Sequence, residues 1–275
     1  MNPTILWALA AIVCMTAASA IMGTFTLLRK QALIGDAVSH AILPGICLAF
    51  MITQTKHPLV LMLGATASGF LGLLAINYLT DKTKLKNDAS LAIVLSVFYG
   101  LGILLLTSIQ SSGNAAQAGL DKFLFGKAAA LMQGDAITFA VFGLVLIGIV
   151  VWLFRPFKLI TFDRDFAQSQ GLPVRKLELL LSILTVSAIA LGIQAVGVVL
   201  MAALLIAPAA AARYWTHDLR GMLLLSVLFA IVSGILGVYV SATYPNIPFF
   251  LPKITEPIAK RERKLTIQGP SGILG

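Results

Sequence analysis

Long apolar stretches, each closed by a cluster of charged or turn-forming residues, dominate the chain. Runs near 5–28, 33–53, 58–79, 89–109 and 135–154 are each about as long as a helix that crosses the hydrocarbon core of a bilayer. The stretch from Leu177 to Ala212 is 36 residues, which as a single helix would extend about 54 Å. That is nearly twice the apolar thickness of a membrane, so two helices separated at Gln194 to Gly197 are predicted. A last run near 221–240 brings the count to eight spans. Pro58 suits the first turn of its helix, where a missing N–H costs little, and Asn87 or Asp88 is placed to cap the fourth.

Composition agrees with the pattern. Of the 275 residues, 59% are hydrophobic and 11% are charged, where about 25% charged is usual for a soluble domain. So little polar surface cannot coat a water-soluble globule. The expected fold class is an all-α polytopic transmembrane helical bundle, with no soluble enzyme, disulfide scaffold or disordered tail. Cys14 and Cys47 lie inside apolar runs and read as buried packing, not as a disulfide or a thiolate metal motif. The N-terminus lacks the basic region of a secretory signal and reads as a retained first span.

The net charge of +9 is topological. Lys and Arg gather between alternate spans: Arg29 and Lys30; Lys82, Lys84 and Lys86; Arg155 to Lys176; then Arg213 and Arg220. Residues 1–248 carry twelve basic residues on that side and three on the other. The richer side is assigned to the cytoplasm, and the N-terminus to the outside. Eight spans leave the tail at 249–275 outside, although it holds five further basic residues. That placement is unexpected for a basic cluster. No signature for nucleic acid is present, and the partner implied by the composition is the lipid bilayer.

An ionisable side chain within a span costs about 3 kcal/mol at the bilayer centre, which makes each one a candidate for function. Most carboxylates here fall in loops or at helix ends. Asp36 is the exception. In LIGDAVSHAILPG, Asp36 and His40 are four residues apart, so on a helix they share a face at about 40° separation, one turn apart. A carboxylate and an imidazole so placed can hold one divalent cation. Alternatively the pair is structural glue between helices. An oxygen and nitrogen ligand set suits manganese, iron or zinc better than copper(I). Two ligands are too few, but a two-fold dimer with these helices on its axis would supply the pair twice. Pro44 removes the N–H that would bond the His40 carbonyl, and Pro208 does the same at Leu204. Both are candidate kinks or gating points. His57 and His217 read as solvated loop residues, and the methionines as packing.

The segment 155–176, RPFKLITFDRDFAQSQGLPVRK, mixes charge with aromatic residues and suits a short amphipathic helix lying on a partner protein. The chain has no phosphate-binding GxxxxGK[ST] loop and no recognisable catalytic set. It is expected to be no enzyme. If transport consumes ATP, a separate subunit hydrolyses it.

Three motifs in order, GDAVSHAILPG (35–45), FDRDFAQSQGLPV (162–174) and VGVVLMAALLIAPAAAA (196–212), resemble the membrane permease subunit of metal-uptake ABC importers of the manganese/zinc/iron class. AGLDKFLFGKAAAL (118–131) looks most like the manganese/iron branch. The resemblance implies a type II importer permease, residues 1–248, in the bacterial cytoplasmic membrane. It further implies a homodimer, or a heterodimer with a related permease, two cytoplasmic ATP-binding subunits and an extracytoplasmic metal-binding protein. Asp36 and His40 would contact the transported metal ion near mid-membrane, with no permanently bound cofactor. The coupling segment would run from Phe162 to Gly171, including Asp163, Asp165 and Phe166. Members of this class usually carry one more C-terminal span, in place of which this chain has the atypical tail 249–275. The alternative from another class is a proton-coupled secondary transporter using Asp36 and His40 as a relay. The loop at 110–134 would be an outer docking surface.

Overall fold

The computed structural model describes residues 3–31, 33–55, 57–111 and 133–243. The sequence motif at 118–131, most of the 110–134 loop and the tail 249–275 lie outside the described residues. Among the described residues ten helices follow one another: α1 (Pro3–Leu28), α2 (Ile34–Thr53), α3 (Pro58–Lys82), α4 (Asn87–Ser111), α5 (Gln133–Trp152), α6 (Phe154–Phe162), α7 (Arg164–Ser169), α8 (Val174–Val196), α9 (Val198–Trp215) and α10 (Leu219–Thr243). Seven are long and apolar enough to cross a membrane. The segment Ala136–Trp152, within α5, joins α6 across a 70° bend as an eighth, broken candidate. The eight predicted spans therefore correspond one to one with helices. Residues up to Ile235 form one compact unit, and the rest of α10 continues the last helix to Thr243.

The local signals explain the boundaries. α3 opens on Pro58. The break inside the 36-residue stretch falls at Gly197, whose φ of 89° is a conformation glycine adopts without the clash a β-carbon would bring. At α4, Asn87 is already helical, and the Lys86 carbonyl accepts from the Ala89 and Ser90 N–H groups. Lys86 thus takes the cap position expected of Asn87 or Asp88, and Asp88 lies in the first turn, where its charge complements the helix dipole.

The inner helices are α1, α2 and α8, in each of which 72% of the apolar stretch is buried, against 22% in α4 and α10. Several hydroxyls inside this core are satisfied within their own helices, as an apolar surrounding requires. Thr24 donates to the Ala20 carbonyl, Thr26 to those of Met22 and Gly23, and Thr185 to that of Leu181.

The close approach of α2 to α3 is made by small residues at four-residue spacing. Ala41, Gly45 and Ala49 face Gly72, Ser68 and Gly64. A β-carbon on Gly45 would overlap the Gly64 carbonyl, and one on Gly64 would come within 2.6 Å of the Ala49 β-carbon. This is the means by which membrane helices gain van der Waals contact in the absence of a hydrophobic drive. α2 also packs on α4, where Gly102 accommodates Leu43. These contacts cover the sides of α2 that face α3 and α4, while the Asp36 side chain stays 54% exposed.

Candidate metal site and the coupling segment

α2 begins at Ile34, so Asp36 lies in its first turn and His40 one turn on. Along a helix about 30 Å long they sit about 3 Å and 9 Å from the start, so both lie in its first half. The His40 Nε2 is 3.7 Å from the Asp36 Oδ1, near enough for attraction yet longer than a hydrogen bond. Both groups keep lone pairs available to a cation. The side chains are 28% and 54% exposed, although Gly35, Ala37, Val38, Ser39 and Ala41 between and beside them are buried. The pair thus faces outward from an otherwise embedded helix. Among the described residues no third His, Cys, Asp or Glu joins it to make a metal cluster. One chain supplies two donors, short of the four or more that close a divalent-metal shell.

Tyr99, on α4, was not singled out by sequence reasoning. Its ring meets the His40 imidazole edge-on with centroids 5.0 Å apart, which limits the orientations the imidazole can take. A phenol amid the apolar residues of a span is the signal that could have marked it. His57 and His217 are exposed and take no part.

The two prolines lie inside helices that continue through them. Next to Pro44, the Ala41 carbonyl accepts a 2.7 Å hydrogen bond from the Ser68 hydroxyl of α3. That bond ties the proline-altered turn to its neighbour. Pro208 is buried in α9. In the same helix Leu205 reaches both α1 and α2. A β-carbon on Gly23 would overlap its carbonyl, and one on Gly35 would lie 2.7 Å from its Cδ2.

The expected amphipathic connector is two short helices. α6 turns its apolar side inward: Phe157 and Ile160 are buried, and Phe157 packs edge-on against Phe25 of α1 at 6.1 Å. The Asp163 carboxylate accepts the Phe166 N–H at 2.9 Å, capping α7. At the other end Gly171 has φ of 76°, with its N–H on the Gln168 carbonyl and the Leu172 N–H on that of Ala167. This is a Schellman close, and it explains the glycine. Asp163 and Gly171 therefore frame α7. Ala167 is its one buried residue, while Phe162, Asp165 and Phe166 are exposed. Two phenylalanines left open beside a carboxylate make a surface suited to a protein partner.

Glu178, on α8, carries the main charge contacts at this end. Its Oε1 is 3.4 Å from Arg29 and its Oε2 3.1 Å from Arg164. Burial pushes the Arg29 guanidinium below its usual pKa, and Glu178 opposes that shift. Beside Arg164 a cavity of about 610 Å³ opens between α7 and α8, lined also by Gln168, Leu172, Arg175 and Lys176.

An outward-facing Asp/His pair, a bundle of membrane-length helices and a framed connector helix pair coincide with a match of residues 1–248 to the ABC 3 transport family. The chain belongs to this family. It is 48% identical over 242 residues to the manganese transport system membrane protein MntC of Bacillus subtilis, covering 88% of this chain and 56% of that protein. The chain thus spans little more than half the length of that relative. It is 48% identical over 230 residues to the zinc transport system membrane protein TroC of Treponema pallidum, covering 83% of this chain and 77% of that one. Among solved structures, PsaBC from Streptococcus pneumoniae in complex with Fab superposes with a TM-score of 0.75 at 29% identity, over 86% of this chain and 82% of that chain. The chain is thus a multi-pass membrane protein of the ABC 3 transport family.

Proposed function

We propose that the chain is the membrane-spanning subunit of an ATP-driven importer that moves a divalent transition metal into the cytoplasm. The observation that carries this reading is the exposed Asp36–His40 pair on a buried helix. The pair offers two donors of the right chemistry, and a second permease related by a two-fold axis completes the set with two carboxylates and two imidazoles. Manganese, iron and zinc all accept such ligands. Manganese and iron are favoured on the likeness of residues 118–131 to the manganese/iron branch, and the relative from Bacillus subtilis is named for manganese transport, although that from Treponema pallidum is named for zinc.

The mechanism is alternating access. Each chain contributes Asp36 and His40 as donors, and Tyr99 limits rotation of the imidazole. Two cytoplasmic ATP-binding subunits dock on α6 and α7 through Phe162, Asp165 and Phe166. Their closure on ATP moves α7, and an extracytoplasmic binding protein delivers the metal. The chain itself hydrolyses nothing.

The test is reconstitution of the chain in proteoliposomes with its cognate ATPase and binding protein, following uptake of manganese, iron and zinc. Uptake of at least one metal that depends on ATP supports the reading. Uptake driven by a proton gradient without ATP contradicts it.

A further inference from the structure

The end of α1, far away in sequence, meets the consecutive helices α7 and α8 at one carboxylate. Glu178 sits in the second turn of α8 and is 19% exposed. Each of its two oxygens faces a different guanidinium, Arg29 just past the end of α1 and Arg164 at the start of α7. The chain geometry holds both arginines there. α1 closes with the Lys30 N–H on the Leu27 carbonyl and the Gln31 N–H on that of Thr26, and Lys30 takes φ of 58°. That left-handed turn is usually made by glycine. Here a lysine bears its steric cost, of about 1 kcal/mol, and the turn leaves Arg29 directed at Glu178.

α7 has few other attachments. Ala167 is its buried residue, and a cavity of about 610 Å³ lies between it and α8. Its other links are the covalent connections to α6 and, through residues 170–173, to α8, and the Arg164–Glu178–Arg29 contacts are what tie this end of α8 and α7 to α1. From Arg29 the contact continues inward. Gly23 of α1 lies against the Leu205 carbonyl, and the Leu205 side chain closes on Gly35, the residue before Asp36. Close packing transmits displacement along such a path because cores do not compress.

We propose that Glu178 is the positioning residue that passes movement of α7 to α1, and through Leu205 to the Asp36–His40 pair. This rests on the importer reading above and names the ion-paired link within it. Removing the carboxylate leaves α7 free to follow the ATPase without drawing α1 along. Hydrolysis then proceeds while metal movement lags.

The experiment uses the reconstituted transporter, with wild type, Glu178→Gln, Arg164→Ala, Arg164→Lys and the double variant Arg164→Ala/Glu178→Gln. Three quantities are read: ATPase subunit binding, ATP hydrolysis and metal ions moved per ATP. Glu178→Gln keeps the side-chain shape, and Arg164 is largely exposed, so folding of the second variant does not depend on the pair. The ratio of metal to ATP is expected to fall about tenfold in Glu178→Gln and Arg164→Ala, with binding and hydrolysis retained. Arg164→Lys restores most of it, and the double variant is no worse than either single one. A merely structural pair would lower binding, hydrolysis and uptake together and leave the ratio unchanged, which overturns the proposal. Additive losses in the double variant would also overturn it, by assigning Arg164 a direct contact with the ATPase. If wild type shows no ATP-dependent uptake, the importer reading itself fails and this inference goes with it.

Discussion

At the scale of single residues, Asp36 and His40 were legible because spacing and residue type alone place a carboxylate and an imidazole on one helical face. Their exposure was not, since it depends on which sides of α2 are covered by α3 and α4. Tyr99 was invisible for a related reason: its meaning comes from an edge contact across two helices. Replacing it with Phe should leave uptake nearly unchanged. Tyr99→Ala should raise the metal concentration needed for half-maximal uptake by roughly two- to tenfold, the range expected for loss of one aromatic contact; a metal titration of both variants distinguishes them. Glu178 read as an ordinary carboxylate at a helix end. Its partners lie 149 residues upstream in Arg29 and in a separate short helix, and no local pattern encodes such a meeting.

At the scale of elements, hydrophobic run length and glycine and proline punctuation located every long helix. The need for a division near Gln194 to Gly197 followed from length, and the backbone shows why it falls on Gly197. What run length could not give is the packing of α2 on α3. The Ala41–Gly45–Ala49 and Gly64–Ser68–Gly72 rows become meaningful only once the two helices are known to be neighbours. Gly64→Leu should therefore destabilise the chain by about 1–3 kcal/mol, seen as a lower melting temperature in detergent, with Gly100→Leu as a control because that position is open. In the coupling segment, the sequence suggested an amphipathic helix and the structure divides it at Asp163. Asp163→Ala should cost α7 about 1 kcal/mol through loss of its cap, measured as weaker binding of the ATPase subunit. A gain in binding would mean that the carboxylate opposes docking.

At the scale of the whole molecule, one chain presents two candidate metal donors, Asp36 and His40, and leaves Phe162 and Phe166 exposed beside Asp165. Both features point to an assembly larger than the chain. The topology read from Lys and Arg places α6 and α7 in the cytoplasm, where an ATPase would meet them.

The central claim is that Asp36 and His40 together hold the transported ion. The most direct measurement compares ATP-dependent metal uptake by wild type, Asp36→Ala and His40→Ala in proteoliposomes with the ATPase and binding protein present. Loss of uptake in both variants, with assembly and ATPase binding intact, is the predicted result. Normal uptake in either variant would contradict the claim and reduce the pair to a structural contact between helices.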